Sequence, residues 1–300
     1  MIKPNLFIIG APKCGTTALA EYLRTHPDIF ISDPKEPHYF STDVKTTITN
    51  TSKYLELFEG TGNKKIRGEA SVWYLFSIEA IGKILEFNPD AKFIVMIRNP
   101  IEQARSLHAQ LVSTGRESES NFDSAWLKSI KNKKARHPLT AYEDVSALGS
   151  QLECAMQQIP KEQLHIIVFD DLVKNTRREY TRLLKFLNVK DDGRTEFPKV
   201  NPGKVVRSNL LHKMGHGLPK PLVNTIFGAK RLLGIKRLNI TKRLRAINTK
   251  VGKTQNVNPE TYKQMREVFM PEIHKLEQLL NRDFSHWLEK DETTVYHRHR

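Results

Sequence analysis

Gly10-Ala11-Pro12-Lys13-Cys14-Gly15-Thr16-Thr17 sets two glycines, a lysine and two successive hydroxyls directly after a short apolar run and before an amphipathic one. The first backbone N–H groups of a helix have no partner within it, and where glycine leaves the approach open they form a cradle for an anion. The pattern GxxxxG matches a nucleoside-triphosphate loop, but Thr16 stands where such a loop requires lysine. Lys13, three residues before Thr16, can neutralise a phosphate and reach the bridging oxygen of a leaving group, yet it cannot sit between β- and γ-phosphates. Hydrolysis of ATP or GTP is disfavoured, and a nucleotide kinase is kept only as an alternative. A plain strand-to-helix turn would leave Lys13, Thr16 and Thr17 without a purpose. Cys14 lies at the same helix start, which by itself lowers a thiol pKa. No step in this chemistry calls for a thiol, so a small packing side chain is the favoured reading.

Two further groups of residues can do chemistry. Arg98 ends an apolar run, Asn99-Pro100 turns the chain into a helix, and Ser106 lies eight residues after Arg98. An arginine at a strand end can hold a phosphate in bidentate fashion, and a serine two turns into the following helix can add a donor. Glu36-Pro37-His38-Tyr39-Phe40 sets a carboxylate and an imidazole two residues apart after the first helix. Lys35 beside them reads as solvated or as part of a positive funnel. Ser71 closes a strand at the same crevice, where facing the reacting group or simple burial of a small residue explains it equally well.

The elements that must position these residues alternate. Leu6–Gly10, Lys92–Ile97 and residues 164–169 are bounded, β-rich apolar runs of the kind found in buried parallel strands, and a fourth strand is expected to end in 67–71. Thr16–Arg24 and residues 78–87, 102–111, 145–158 and 178–187 repeat their apolar positions every three to four residues and read as helices. Strand and helix in turn imply an α/β fold, a P-loop-like doubly wound parallel β-sheet flanked by helices, with its ligand outside the carboxyl ends of the strands. A last helix is expected from Pro259 to Leu280. The 300 residues read as one domain: a core over 1–190, a basic accessory segment over 197–259 and a closing helical stretch over 259–290.

Charge separates these parts. The chain carries +15, and the 63 residues from Phe197 to Pro259 hold fourteen lysines and arginines with no acidic residue, so the remainder is nearly neutral. Such a balance points to an anionic partner. Two cysteines cannot form a secreted-type framework, and Leu6–Gly10 is too short for a leader segment, so the chain reads as cytoplasmic. The terminal His297-Arg298-His299-Arg300 reads as a solvated tail and no metal site is expected.

Taken in order, FIIGAPKCGTTALAEYL, KEPHYF, GEASVWYL, FIVMIRNPIEQARSLH, IPKEQLHIIVFDDL and NRDFSHWL resemble the sulfotransferase superfamily that uses 3′-phosphoadenosine 5′-phosphosulfate (PAPS), in its carbohydrate-type and bacterial branch. The resemblance touches nearly the whole chain and is weakest in the basic segment. It implies transfer of a sulfuryl group to a hydroxyl or amine acceptor, with a carbohydrate or glycoconjugate the acceptor class, and no need for a metal. Lys13, Cys14, Gly15, Thr16 and Thr17 would hold the 5′ side of the donor, Lys13 also acting on the leaving oxygen. Arg98 and Ser106 match the pair that grips the 3′-phosphate. Lys204 or Arg207, in a loop that closes over the nucleotide, would complete that clamp. Glu36 matches the base that takes the acceptor proton, with His38 nearby; the reverse, His38 as base and Glu36 as its partner, stays open.

The apolar residues interleaved with paired cations over 222–247 read first as a helix packed on its own domain with its lysines outward. Guidance of an anionic polysaccharide and peripheral contact with an acidic membrane are the competing readings. A non-catalytic polyanion-binding protein is the other alternative. Nucleic acid is not expected, since Phe227 is the one aromatic amid the basic run.

Overall fold

In chain order the elements of the computed structural model are β1 (Leu6–Gly10), α1 (Thr16–Arg24), β2 (Ile29–Ile31), α2 (Thr51–Glu56), β3 (Ile66–Ala70), α3 (Ala80–Phe87), β4 (Lys92–Ile97), α4 (Pro100–Thr114), α5 (Phe122–Lys131), α6 (Tyr142–Val145), α7 (Leu148–Gln158), β5 (Leu164–Val168), α8 (Phe169–Lys174), α9 (Thr176–Leu187), β6 (Lys204–Val206), β7 (Thr249–Val251) and α10 (Pro259–Leu280). The structure describes residues 2–132, 137–198, 200, 204–206, 249–251 and 256–289. The chain divides into two compact units, one of Met1–Gln103, Glu143–Val200 and Lys263–Arg300, the other of Ala104–Tyr142 and Asn201–Tyr262.

The first unit is built on a five-stranded sheet of order β2-β3-β1-β4-β5, with every pairing parallel. β1 is buried along its whole length and β4 along all but its first residue, as strands covered by helices on both faces must be. Phe7 of β1 stacks on Phe93 of β4 at 5.9 Å and meets Phe40 edge-on at 6.0 Å, so the strand pair and the chain after β2 share one core. From β1 the chain crosses to the edge strand β2 and returns to β3 beside β1, then passes to β4 and β5 on the other side. β1 is therefore the point where strand order reverses, and the crevice beyond its carboxyl end is where a doubly wound sheet binds ligands. The expected α/β architecture is the one observed.

β1, α1, β4 and α10 begin and end where the apolar pattern puts them. β5 is one residue shorter than expected, because Phe169 opens α8. The expected helix over 145–158 is broken at Ser146-Ala147 into α6 and α7. Helix α9 starts two residues early, because Asn175 Oδ1 accepts from the Arg178 amide (3.0 Å) and caps it. The second unit holds an aromatic cluster in which Phe122 packs against His108 (5.3 Å) and Tyr142 (6.1 Å), and an antiparallel pair, β6 with β7.

Candidate active site

Each segment with candidate chemistry leaves the carboxyl end of a strand of the first unit: Lys13 to Thr17 after β1, Lys35 to His38 after β2, Ser71 after β3 and Arg98 after β4. In the turn from β1 to α1, Gly15 has φ +91°, and a Cβ there would come within 2.8 Å of the Phe169 ring, so both the backbone angle and the space demand glycine. The Ala11 amide donates to Met96 O (2.8 Å) and Gln103 Nε2 donates to Pro12 O (3.1 Å), which ties the turn to β4 and to the start of α4. Thr16 is buried, while Thr17 Oγ1 accepts a hydrogen bond from Lys35 Nζ (3.1 Å). The helix start does not lower the Cys14 thiol, and the favoured packing reading is the one observed. Cys14 is wholly buried, and loss of hydration pushes its thiol up to about 12 against the pull of Arg98, so the side chain packs and does not react.

Three cations gather at this edge. Arg98 Nη1 donates to the carbonyl of Lys13 (3.3 Å), and its guanidinium lies over the Phe169 ring at 4.8 Å with Glu102 3.8 Å away. Burial lowers the Lys13 ammonium, and the charges of Arg98 and Lys35 lower it further. Burial also lowers Lys35, which is not solvated: it bonds Thr17 and, at 3.3 Å, Glu36 Oε1, and so spans the two loops. Like charges pressed together and partly stripped of water form a site that an anion would relieve.

Glu36 and His38 face one another, His38 Nε2 donating to Glu36 Oε2 at 3.2 Å. That bond leaves Nδ1 as the bare ring nitrogen, which is buried and meets no partner among the described residues. Burial, the largest influence on Glu36, disfavours its charge. The bond from His38 and the charges of Lys35 and Lys45 outweigh burial and hold the carboxyl at about 2. His38 is lowered, chiefly by burial, and is neutral at physiological pH. The side chain of Glu36 is 33% exposed and that of His38 is 0% exposed, so Glu36 is the member of the pair that a substrate can touch.

The backbone here is strained. Among the described non-glycine residues, positive φ occurs at Lys13 (67°), Glu36 (64°), His38 (47°), Asn188 and Asn281. The asparagines follow helix ends, where that conformation costs little. The other three are candidate site residues, and such strain persists only where surrounding contacts overdetermine it. For the loop after β2 those contacts include the Glu36 amide donating to Ala70 O (3.1 Å) and the His38 amide donating to Ser71 Oγ (3.0 Å). Ser71 is buried and donates to Glu69 Oε2 (2.6 Å), so burial in a hydrogen-bonded cluster accounts for it. On the β4 side, Asn99 Nδ2 donates to Trp287 O (2.9 Å) and Trp287 Nε1 to Asp170 Oδ2 (2.7 Å), which fastens the tail after α10 beside the Arg98 turn.

The structure brings Lys13, Thr17, Lys35, Glu36, His38 and Arg98 together. Ser106 is carried by α4 and falls in the second unit, and the backbone of Lys204 lies in β6. Arg207 and most of the basic segment lie outside the described residues. Sequence reasoning missed the bridging place of Lys35 and the buried carboxyl of Glu69. An acidic residue inside a buried strand, IRGEA, was the available signal for Glu69.

Residues 68–193 match the model of the sulfotransferase family. Along its whole length the chain is similar to a solved sulfotransferase from Alicyclobacillus acidocaldarius, with 26% identity, TM-score 0.71, and coverage of 96% of this chain and 100% of that one. These likenesses support a member of the sulfotransferase superfamily. It is also 29% identical over 189 residues to human heparan sulfate glucosamine 3-O-sulfotransferase 3B1, covering 62% of this chain and 46% of the relative. The chain thus spans about half the length of that curated relative. Over 129 residues it is 33% identical to the membrane-associated sulfotransferase kil1 of Dictyostelium discoideum, covering 43% of this chain and 25% of that protein. The likeness to a membrane-associated enzyme overturns the cytoplasmic expectation. Unpaired cysteines and a short apolar first strand report on disulfides and on one segment of chain, and neither fixes a compartment. No helix among the described residues is long and apolar enough to cross a membrane.

Proposed function

We propose that this chain moves the sulfuryl group of PAPS to a hydroxyl or amine of a carbohydrate. The observation that carries the reading is the gathering of Arg98 and Lys35 around a partly desolvated Lys13 that both repel, on the edge where an ionised and accessible Glu36 stands. The site fits a polyanionic adenylate: the turn of residues 10–17 offers free N–H groups at the start of α1, and Lys13 supplies charge where a leaving phosphate oxygen needs it. The donor, when bound, supplies the sulfuryl group and a 5′-phosphate leaving group. Arg98 and Ser106 are assigned to the 3′-phosphate, and Lys204 or Arg207 to closing over the nucleotide.

Glu36 is assigned as the base because it is accessible and ionised at every working pH, while the neutral imidazole of His38 lies behind it and fixes one carboxylate oxygen. Lys35 bonds both Thr17, at the donor turn, and Glu36, and so links the cradle to the base. A carbohydrate acceptor is supported by the likeness to an enzyme named for heparan sulfate glucosamine. The test is transfer of radiolabelled sulfate from PAPS to heparan sulfate. Label in the glycan that disappears with Glu36→Gln is expected, and no label in heparan sulfate or any other hydroxyl or amine acceptor offered would overturn the reading.

A further inference from the structure

Glu69 is wholly buried in β3 and its carboxylate accepts from three neutral hydroxyls: Tyr54 (2.9 Å) and Tyr74 (2.8 Å) on Oε1, and Ser71 (2.6 Å) on Oε2. Burial, only partly offset by those hydroxyls, pushes its pKa up to about 7, and the charge of Glu36 adds to the rise. A carboxyl bonded there to hydroxyls alone is a costly tenant of a sheet interior, where an apolar residue would serve packing better. The geometry shows what the carboxyl does for its neighbours. A hydroxyl has one proton to give and lone pairs to receive with. Ser71 and Tyr74 direct that proton to Glu69, which leaves their oxygens aimed at the loop. Ser71 Oγ accepts from the His38 amide (3.0 Å), and Tyr74 Oη accepts from the amides of Tyr39 (2.9 Å) and Phe40 (3.4 Å). Those amides belong to the segment in which Glu36 and His38 hold positive φ. The hydroxyl of Tyr54 bonds to Glu69 and to nothing in the loop, although its ring stacks on Tyr39 at 4.3 Å.

We propose that Glu69 is a positioning residue for the transfer: by taking the protons of Ser71 and Tyr74 it aims their oxygens at three consecutive amides and so holds the strained loop that presents Glu36. The inference rests on Glu36 being the base, but its structural half can be read without turnover.

The experiment compares Tyr74→Phe and Ser71→Ala, which cut the relay between Glu69 and the loop, with Tyr54→Phe, which removes a donor to Glu69 and leaves the relay whole. Three readouts are taken on the full chain: amide hydrogen exchange over 36–40, affinity for 3′,5′-adenosine bisphosphate (PAP), and kcat and KM for transfer from PAPS to heparan sulfate. Cutting the relay should speed exchange at residues 38–40 about 5–10-fold, the worth of a lost hydrogen bond. It should also lower kcat about 10–100-fold, as loss of an outer supporting contact does, with KM for PAPS and PAP affinity within about twofold. Tyr54→Phe should leave exchange at 38–40 and kcat within about threefold of wild type, because only its hydroxyl is lost. Ser71→Ala loses only a buried hydroxyl and guards against misfolding of Tyr74→Phe. Equal effects of Tyr54→Phe and Tyr74→Phe, or unchanged exchange in both relay variants, would overturn the proposal. If the wild type transfers no sulfate while the exchange pattern holds, the proposed function fails and the relay stands.

Discussion

The two loops that meet at the carboxyl edge of the sheet are held by opposite means. The turn from β1 to α1 is fixed by glycine at Gly15, by a backbone bond to β4 and by the Gln103 amide on Pro12 O. The loop after β2 is fixed by side chains distant in sequence, Ser71 and Tyr74, which in turn rest on one buried carboxyl. In the proposed function the first binds the donor and the second presents the base. A binding turn built from backbone keeps its shape whatever substrate approaches, whereas a base on a strained loop depends on every hydroxyl behind it. The two halves should therefore fail separately.

The sharpest way to break this division is Glu36→Gln. It keeps the shape, exchanges one of the two acceptor oxygens that face His38 and Lys35 for a donor, and cannot take a proton, so turnover should fall about 10²–10⁴-fold while PAP affinity stays within about twofold. Comparable loss of both would show one site rather than two halves. Lys35→Met is next, because Lys35 bonds both Thr17 and Glu36. Removing a charge-assisted bond should cost about 10–100-fold in turnover, with a higher apparent pKa for Glu36 as it loses a cation, both read from pH–rate profiles. A change in PAP affinity without one in turnover would assign Lys35 to the binding half only.

How much of this was legible in the sequence follows the same division. Strand, glycine turn and helix over residues 6–24 are contiguous, so local spacing displayed β1, α1 and Lys13 at once. Arg98 was legible for the same reason, lying between β4 and a proline-started helix. β2 is three residues long and shows no periodicity, so it was invisible, and α2 and α8, of six residues each, carry too few turns to read. Lys35 looked solvated because its partner Thr17 is eighteen positions away. Glu69 was unreadable as a support: Ser71 and Tyr74 follow it within GEASVWYL, but spacing does not show that their hydroxyls turn back on it or that Tyr54, from another segment, joins them. The packing reading of Cys14 holds, because a helix start lowers a thiol only where water or an anion reaches it, and burial outweighs the helix here.

Smaller effects sharpen the comparison. Gly15→Ala would need φ +91° and would press on Phe169, so a destabilisation of about 1–3 kcal/mol is expected, measured by thermal unfolding. No loss would show that the turn has room to give. The pH dependence of stability separates the two carboxyls. Glu69, raised to about 7 from 4.5, contributes stability that is present below pH 4.5 and lost as the pH rises through 7. Glu36, held at about 2, contributes stability present above pH 4.5 and lost as the pH falls through about 2. Between pH 5 and pH 8 the wild type should lose on the order of 5 °C more in Tm than Glu69→Gln. Equal slopes would mean that Glu69 titrates alike in the folded and unfolded chain.

The central claim is that a 3′-phosphoadenylate is gripped at the β1–β4 edge by Lys13 and Arg98. Calorimetric titration with PAP tests it most directly. The account predicts binding by the wild type and by Glu36→Gln, weakened about 10–100-fold in Lys13→Ala and in Arg98→Ala; binding of ATP in preference to PAP, or PAP affinity indifferent to both cations, would contradict it.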